Sequence, residues 1–157
     1  MSALSRLVVF RLDAQRYALS LAVVERSVRA VEVTGLPNAP AIVLGVINVE
    51  GCVLPVLNLR RRFGLPEREI SLSDQFLIAR TTRRTVVLVV DETQGVIEHP
   101  KAEIIGPAQI VPGLGQIQGV VKLPDGLVLI HDLELFLSLE EVNALDAAMA
   151  QEVAHAS

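Results

Sequence analysis

Apolar and polar residues along this chain come in short bursts separated by turn-forming residues. Leu7 to Leu12 predicts a strand, Asp13-Ala14-Gln15-Arg16 a turn, and Tyr17 to Leu21 the returning strand of a hairpin. On that second strand Tyr17, Leu19 and Leu21 face one way, and Ala18 and Ser20 the other. Residues 22 to 33 fit neither period well, and Val23, Val24, Val28, Val31 and Val33 read as a short helical turn leading into a strand. Thr34 to Pro40 holds one Gly and two Pro and predicts a loop. Val43 to Val49 is the next strand, Glu50-Gly51 a tight turn with Gly supplying the positive φ, and Cys52 to Leu59 the return. Pro55 lies within that run, which predicts an edge position or a bulge there.

Residues 64 to 74 predict a polar loop. Gln75 to Ala79 and Thr85 to Asp91 read as strands joined by a basic, Thr-rich turn. Val96 to Glu98 and Ile104-Ile105 read as short extended pieces around Pro100, and Pro107 to Gly115 as a loop with a Pro-Gly turn. Ile117 to Leu123 and Leu127 to His131 form a predicted hairpin through Asp125-Gly126, a type I′ signal. The last segment alone has helical spacing. Ser138 and Glu141 match a capping box, and Leu139, Val142, Leu145, Met149 and Val153 form one apolar stripe, with fraying from His155 to Ser157. About ten short strands predict an all-β sandwich or pair of small barrels with one C-terminal helix. No segment repeats at a fixed period.

Composition narrows the function. The chain has 157 residues, enough for one domain with a real core; 51% are hydrophobic and 20% charged. Aromatics are only 3%, Trp is absent and the net charge is −4. That balance argues against a nucleic-acid partner, which calls for surplus cations and stacking rings. The one basic cluster, Arg60, Arg61 and Arg62, reads as a solvated strand end ahead of a phosphate site. Cys52 is the single cysteine, no secretory start is evident, and no apolar run is long enough to insert in a membrane. A reducing cytoplasm is the expectation.

Candidate chemistry is thin. His99 stands beside Glu98 and Pro100, His131 beside Asp132, and His155 in the tail. No cluster completes a metal site, so these read as plain surface or hydrogen-bonded histidines. Cys52 has no activating neighbour and reads as a small buried hydrophobe. Gly113, Gly115 and Gly119 nearly match a dinucleotide fingerprint, but a hairpin pattern follows where a helix is needed. No catalytic residue, cofactor or metal is expected. Presentation of protein-binding surfaces becomes the leading class.

Two stretches go beyond composition. One is Val43-Leu44-Gly45-Val46-Ile47-Asn48-Val49-Glu50-Gly51-Cys52-Val53-Leu54-Pro55-Val56-Leu57-Asn58-Leu59-Arg60, continuing through Arg62-Phe63-Gly64-Leu65. The other is Gly119-Val120-Val121-Lys122-Leu123 with Asp125-Gly126-Leu127-Val128-Leu129-Ile130, then Leu133-Glu134 and the terminal helix. Both resemble the CheW-like adaptors of bacterial chemotaxis, over roughly residues 5 to 153. The resemblance implies a single domain over 5–153 made of two packed five-stranded SH3-like β-barrels, a helix over 139–153, and tails at 1–4 and 154–157. It implies a non-catalytic scaffold that links the cytoplasmic tip of methyl-accepting chemoreceptors to the regulatory domain of the CheA-type histidine kinase.

By position against the family pattern, a groove for the receptor's helical hairpin should include Val24, Val28, Phe76, Leu77 and Val96. Ordinary core packing competes at each. Strand alternation turns one of Phe76 and Leu77 inward, and for Val24 and Val96 groove and core weigh about equally. The family commonly reads N-L-R-G where this chain has Asn48-Val49-Glu50-Gly51, so Glu50 reverses a charge on the receptor-facing side. An ordinary exposed turn residue remains the plainer reading of Glu50. Three rivals stay open: the same adaptor in a pathway for pili, surface motility or biofilm; an oligonucleotide-binding barrel; and a metal-dependent hydrolase on His131-Asp132.

Overall fold

The computed structural model describes residues 3–106 and 117–155, with side chains to residue 151. The predicted loop from Pro107 to Gly115 and the Val153 side chain lie outside the described residues. Ten strands are present among the described residues: β1 (Leu4–Leu12), β2 (Gln15–Ser20), β3 (Val24–Arg29), β4 (Val43–Val49), β5 (Cys52–Leu57), β6 (Gln75–Arg80), β7 (Thr85–Val90), β8 (Glu92–Pro100), β9 (Ile117–Leu123) and β10 (Gly126–His131). Helix α1 (Leu59–Phe63) follows β5, and α2 (Leu139–His155) follows β10. The 3-10 turn at Leu21–Val23 leads into β3, as the ambiguous valine-rich segment predicted.

The strands form two five-stranded sheets, ordered β8-β1-β2-β10-β9 and β3-β6-β7-β5-β4. Each sheet curls until its edges meet. The chain leaving edge strand β3 bridges the opposite edge β4 through Thr34 and Val46, and the chain leaving β8 bridges β9 through Ile105 and Val120. Closure removes unpaired edges. It also demands close backbone approach. A side chain at Gly45 would strike the Thr34 carbonyl, and one at Gly119 would meet Ile104 at 2.8 Å.

Strand alternation feeds three cores. Leu7, Val9, Ala18, Val121, Val128 and Ile130 fill the first barrel. Ile47, Val56, Phe76, Ile78 and Val87 fill the second. The opposite faces of the same strands, through Val8, Phe10, Tyr17, Leu19, Leu77 and Leu88, pack the barrels onto one another beneath α2. This double burial explains the near-continuous apolar runs of β1, β6 and β7. Leu145, Ala148 and Met149 of α2 join the shared core, whereas Leu139, predicted for the buried stripe, is 74% exposed.

The two barrels are built alike, and the chain is an internal repeat. The register pair Leu7↔Ser20 of β1–β2 corresponds to Phe76↔Val89 of β6–β7, and Val24↔Ala79 corresponds to Thr93↔Phe10. In both β3 and β8 one residue bulges just after that pair, at Glu25 and Gln94. The hairpin β4–β5 corresponds to β9–β10, with Gly45 matching Gly119 and an identical order of buried and exposed positions in β4 and β9. Asn58 caps α1 by accepting from the Arg61 amide, and its counterpart Asp132 caps the 3-10 turn Leu133–Leu135 by accepting from the Glu134 amide. The halves are exchanged: the first barrel joins β1 and β2 to β8, β9 and β10, and the second joins β3, β4 and β5 to β6 and β7. The offset between equivalent residues changes after β3, which is why no fixed period shows in the sequence.

Several local expectations are corrected. Strand β5 is interior, yet β7 pairs with it only at Val56 and Leu57, so Pro55 sits where its missing N–H loses nothing on that side. The β9–β10 turn is Pro124-Asp125, one residue earlier than the predicted Asp125-Gly126, with Gly126 following at φ 140°; with Pro124 at its first central position the turn cannot be the predicted type I′, which needs positive φ at both central residues. At the β4–β5 turn both Glu50 (φ 51°) and Gly51 (φ 85°) are left-handed, and the Asn48 side chain accepts from the Gly51 amide at 2.9 Å. Cys52 is exposed beside that turn and not buried. Strand β8 is one nine-residue strand where only short pieces were expected.

Candidate functional site

The junction of the barrels is held by charge. Arg60 on α1 is 8% exposed and donates to Asp13 at 2.8 Å and to Asp91 at 2.8 and 2.9 Å. Asp13 lies in the β1–β2 turn of one barrel, and Asp91 is the single residue through which the chain passes from β7 to β8. Arg68 joins the network through Asp74 at 2.7 Å and Asp91 at 2.8 Å. Burial alone would raise the Asp91 carboxyl. Hydrogen bonds from Arg60 and the Asp13 amide, with both guanidinium charges, hold it below the ordinary carboxylate range. Burial would likewise lower the Arg60 guanidinium, but Asp13 and Asp91 raise it. Arg61 pairs with Glu67 at 3.3 Å, and Arg62 with Glu141 of the α2 capping box at 2.5 Å. The Arg60-Arg61-Arg62 cluster is therefore a short helix with each cation tied to carboxylate, not a solvated strand end.

An aromatic stack lies beside this network. Tyr17 and Phe63 stand 4.7 Å apart, Phe63 and His131 4.4 Å, and Phe136 closes the group edge-on to Phe63 at 5.6 Å. His131 is buried, and Asp132 beside it caps the 3-10 turn, so both members of the sequence pair have structural work. Burial pushes the His131 imidazole down to about 4. The folded value lies below the unfolded 6.5, so the unfolded chain takes the proton first. Stability is therefore full above about pH 6.5 and falls as pH drops toward 4, by at most about 3 kcal/mol. Urea unfolding of the native chain and His131→Phe between pH 7 and pH 4.5 checks this. An equal loss in both would assign the acid sensitivity elsewhere.

A different surface suits a partner. Edge strands β3 and β8, one from each barrel, meet where Ser27 Oγ and Thr93 Oγ1 approach to 3.3 Å. Gln75 Oε1 accepts from the Thr93 amide at 2.5 Å and ties the same seam to β6. Ladder partners share a face, so Val24 (opposite Ala79) and Val96 (opposite Val8) both point to the inter-barrel side. Val24 is half-buried against the shared core, and Val96 is 54% exposed. Ser27 and Thr93, which touch here, correspond in the repeat to Val96 and Val24. The seam thus carries the hydroxyls of Ser27 and Thr93 together with the valines at 24 and 96.

The structure separates the other residues predicted for the groove. Val28 lies opposite Phe76 and is half-buried against the second barrel's core, on the other face of β3 from Val24. The bulge at Glu25 shifts the alternation that would have kept them together. Phe76 and Leu77 are both 0% exposed, in the second barrel's core and the shared core respectively, so neither presents a surface. That corrects their assignment to the groove: β6 is buried on both faces, so alternation exposes neither. Glu50 projects from the β4–β5 turn and is paired at 3.1 Å with Arg26 of β3. Ser27, Thr93 and Gln75 were not anticipated from sequence, because polar residues on an edge strand carry no distinguishing period.

Comparison with known proteins agrees with this architecture. The family model described as the CheW-like domain matches residues 6–141. The chemotaxis protein CheW of Treponema pallidum is 27% identical over 146 residues, covering 89% of this chain and 86% of that protein. The Bacillus subtilis chemotaxis protein CheW is 33% identical over 99 residues, 63% of this chain and 64% of that one. The crystal structure of the scaffolding protein TtCheW from Thermoanaerobacter tengcongensis superposes with a TM-score of 0.78 at 27% identity, covering 90% of this chain and 96% of that one. With most of its length matched by the family model and the fold shared with a scaffolding relative, the chain belongs to the CheW-like domain family of non-catalytic chemotaxis scaffolds.

Proposed function

We propose that this chain couples methyl-accepting chemoreceptors to the regulatory domain of a CheA-type histidine kinase, working in the cytoplasm on membrane-associated receptor arrays. The seam between β3 and β8 carries the reading. It sets the exposed Val96 and half-buried Val24 on one side of two adjoining edge strands, next to the Ser27–Thr93 contact. A helical hairpin laid along such a seam buries its apolar stripe on the valines and meets hydroxyl groups between them. Glu50 and Arg26 flank β3 as an ion pair that a receptor side chain can share or compete for. The barrel surfaces remain for the kinase domain, and many modest contacts add up through linkage in an array.

Titration of the chain against a CheA regulatory domain, and separately against a receptor-tip hairpin, tests the reading. Val96→Asp is expected to weaken hairpin binding about tenfold or more, ~1.4 kcal/mol, while kinase-domain binding stays unchanged. Absence of kinase-domain binding at high micromolar concentration would overturn the coupling role. Loss of both interactions in Val96→Asp would remove the seam as the receptor site.

A further inference from the structure

The strands pass from one barrel to the other twice, between β2 and β3 and between β7 and β8, and the repeat makes the two crossings equivalent. They are built differently. At the first crossing the 3-10 turn Leu21–Val23 intervenes, and the Val24 amide donates to the Leu21 carbonyl of that turn. The second crossing is the single residue Asp91, too short to hold such a turn. Thr93, the counterpart of Val24, is half-buried, and a half-buried backbone N–H needs an acceptor. A side chain from the other barrel supplies it: Gln75 Oε1 accepts from the Thr93 amide at 2.5 Å.

The place of this bond gives it a second effect. Gln75 lies on the face of β6 that carries Leu77 into the shared core, and its ladder partners are Arg29 of β3 and Val90 of β7. Thr93 stands just before the bulge at Gln94, where the β1–β8 ladder is interrupted and the strand runs on through Gly95 (φ 96°) to Val96. A bulge loosens its own ladder, so β1 alone fixes this stretch poorly. Both edge strands of the seam are therefore referred to β6, β3 through its ladder and β8 through Gln75. We propose that Gln75 is a positioning residue for receptor docking: by holding the Thr93 amide it sets how far β8 stands from β3, and with it the spacing of Val24 and Val96. The inference rests on the reading of the seam as the receptor site. A docking surface works only when the groups behind it hold its contact residues in place, and Gln75 acts in that way through Thr93.

Titration of a receptor-tip hairpin into the native chain, Gln75→Leu and Gln75→Glu tests this, with amide hydrogen exchange measured on each. Leucine keeps much of the side-chain volume but accepts no hydrogen bond, whereas glutamate keeps an acceptor oxygen in place. Gln75→Leu is expected to bind the hairpin about tenfold more weakly, and Gln75→Glu to stay within about twofold of native. The Thr93 amide should lose protection in Gln75→Leu and keep it in Gln75→Glu, with protection elsewhere in both barrels unchanged. If Gln75→Leu does not fold, Gln75→Asn carries the same expectation, since its shorter side chain draws the acceptor away while staying polar. Native-like hairpin affinity in the variant that lacks the acceptor would overturn the positioning role and leave the seam as the receptor site. Equal weakening in Gln75→Glu, or lost protection throughout both barrels, would overturn it too, by assigning the effect to general destabilisation. A native chain that does not bind the hairpin would remove the seam itself as the receptor site, and this inference with it.

Discussion

Arg60→Met is expected to lower the unfolding free energy by about 3 kcal/mol, although methionine keeps most of the buried stem. The guanidinium bridges carboxylates from two strand connections, Asp13 in the β1–β2 turn and Asp91 between β7 and β8, and reinforces the hydrogen bond that the Asp13 amide donates to Asp91 at 2.8 Å. Removing it leaves Asp91, only 11% exposed, facing Asp13 with one cation fewer. The loss stays at the lower end for a broken buried pair because Arg68 still reaches Asp91 at 2.8 Å. Urea unfolding measures it. The double variant with Asp91→Asn should recover part of the loss, because the uncompensated charge is then gone. The effect also depends on pH in a fixed direction. Asp91 has a folded value depressed below 3.8, so its contribution is present above the unfolded value and disappears as pH falls through the folded one. The gap between native and variant chains should therefore narrow below about pH 4. A gap independent of pH would place the cost in packing around α1.

Much of the β framework is legible in the residues because turn chemistry is local. Val43–Val49 and Ile117–Leu123 were bounded correctly by apolar pattern and turn residues, and the Ser138–Glu141 capping box forms as read, with bonds of 2.8 and 3.1 Å. Helix α1 escaped detection because five residues cannot display a helical period, and Leu59 continued the apolar run of β5. The exchange of strands between halves escaped for another reason. Apolar pattern reports which residues are buried, not which core receives them, and β1, β6 and β7 feed different cores from their two faces.

The candidate site was legible only in outline. Val96 and Glu50 are exposed, consistent with a place at a surface, but the sequence could not show that a bulge at Glu25 turns Val24 and Val28 to opposite faces. Nor could it show the Arg60 network, whose carboxylates come from distant turns. The basic run Arg60-Arg61-Arg62 looked solvated because the partners Asp13, Asp91, Glu67 and Glu141 are brought in by tertiary folding. Arginine so close to carboxylates of separate strands is a signature of the folded chain.

Phe76→Ala should destabilise the chain by about 3–5 kcal/mol, and this loss separates two accounts of β6. The ring is fully buried in the second barrel's core with Ile47, Val56, Ile78 and Val87. Its removal leaves a hole that a closed barrel relaxes around poorly, since each neighbouring side chain is fixed by a ladder on both sides. Five of the ten strands build that barrel, two from one half of the chain and three from the other, so the loss is felt by both halves. A single cooperative unfolding transition, shifted to lower urea with unchanged slope, is the expected outcome. Receptor binding by the folded fraction should be close to native, because the ring never reaches the seam. Val96→Asp should behave in the opposite way, within about 0.5 kcal/mol of native stability but defective in hairpin binding. Near-native stability for Phe76→Ala together with lost receptor binding would mean that β6 opens to expose the ring, and that the groove extends beyond the seam between β3 and β8.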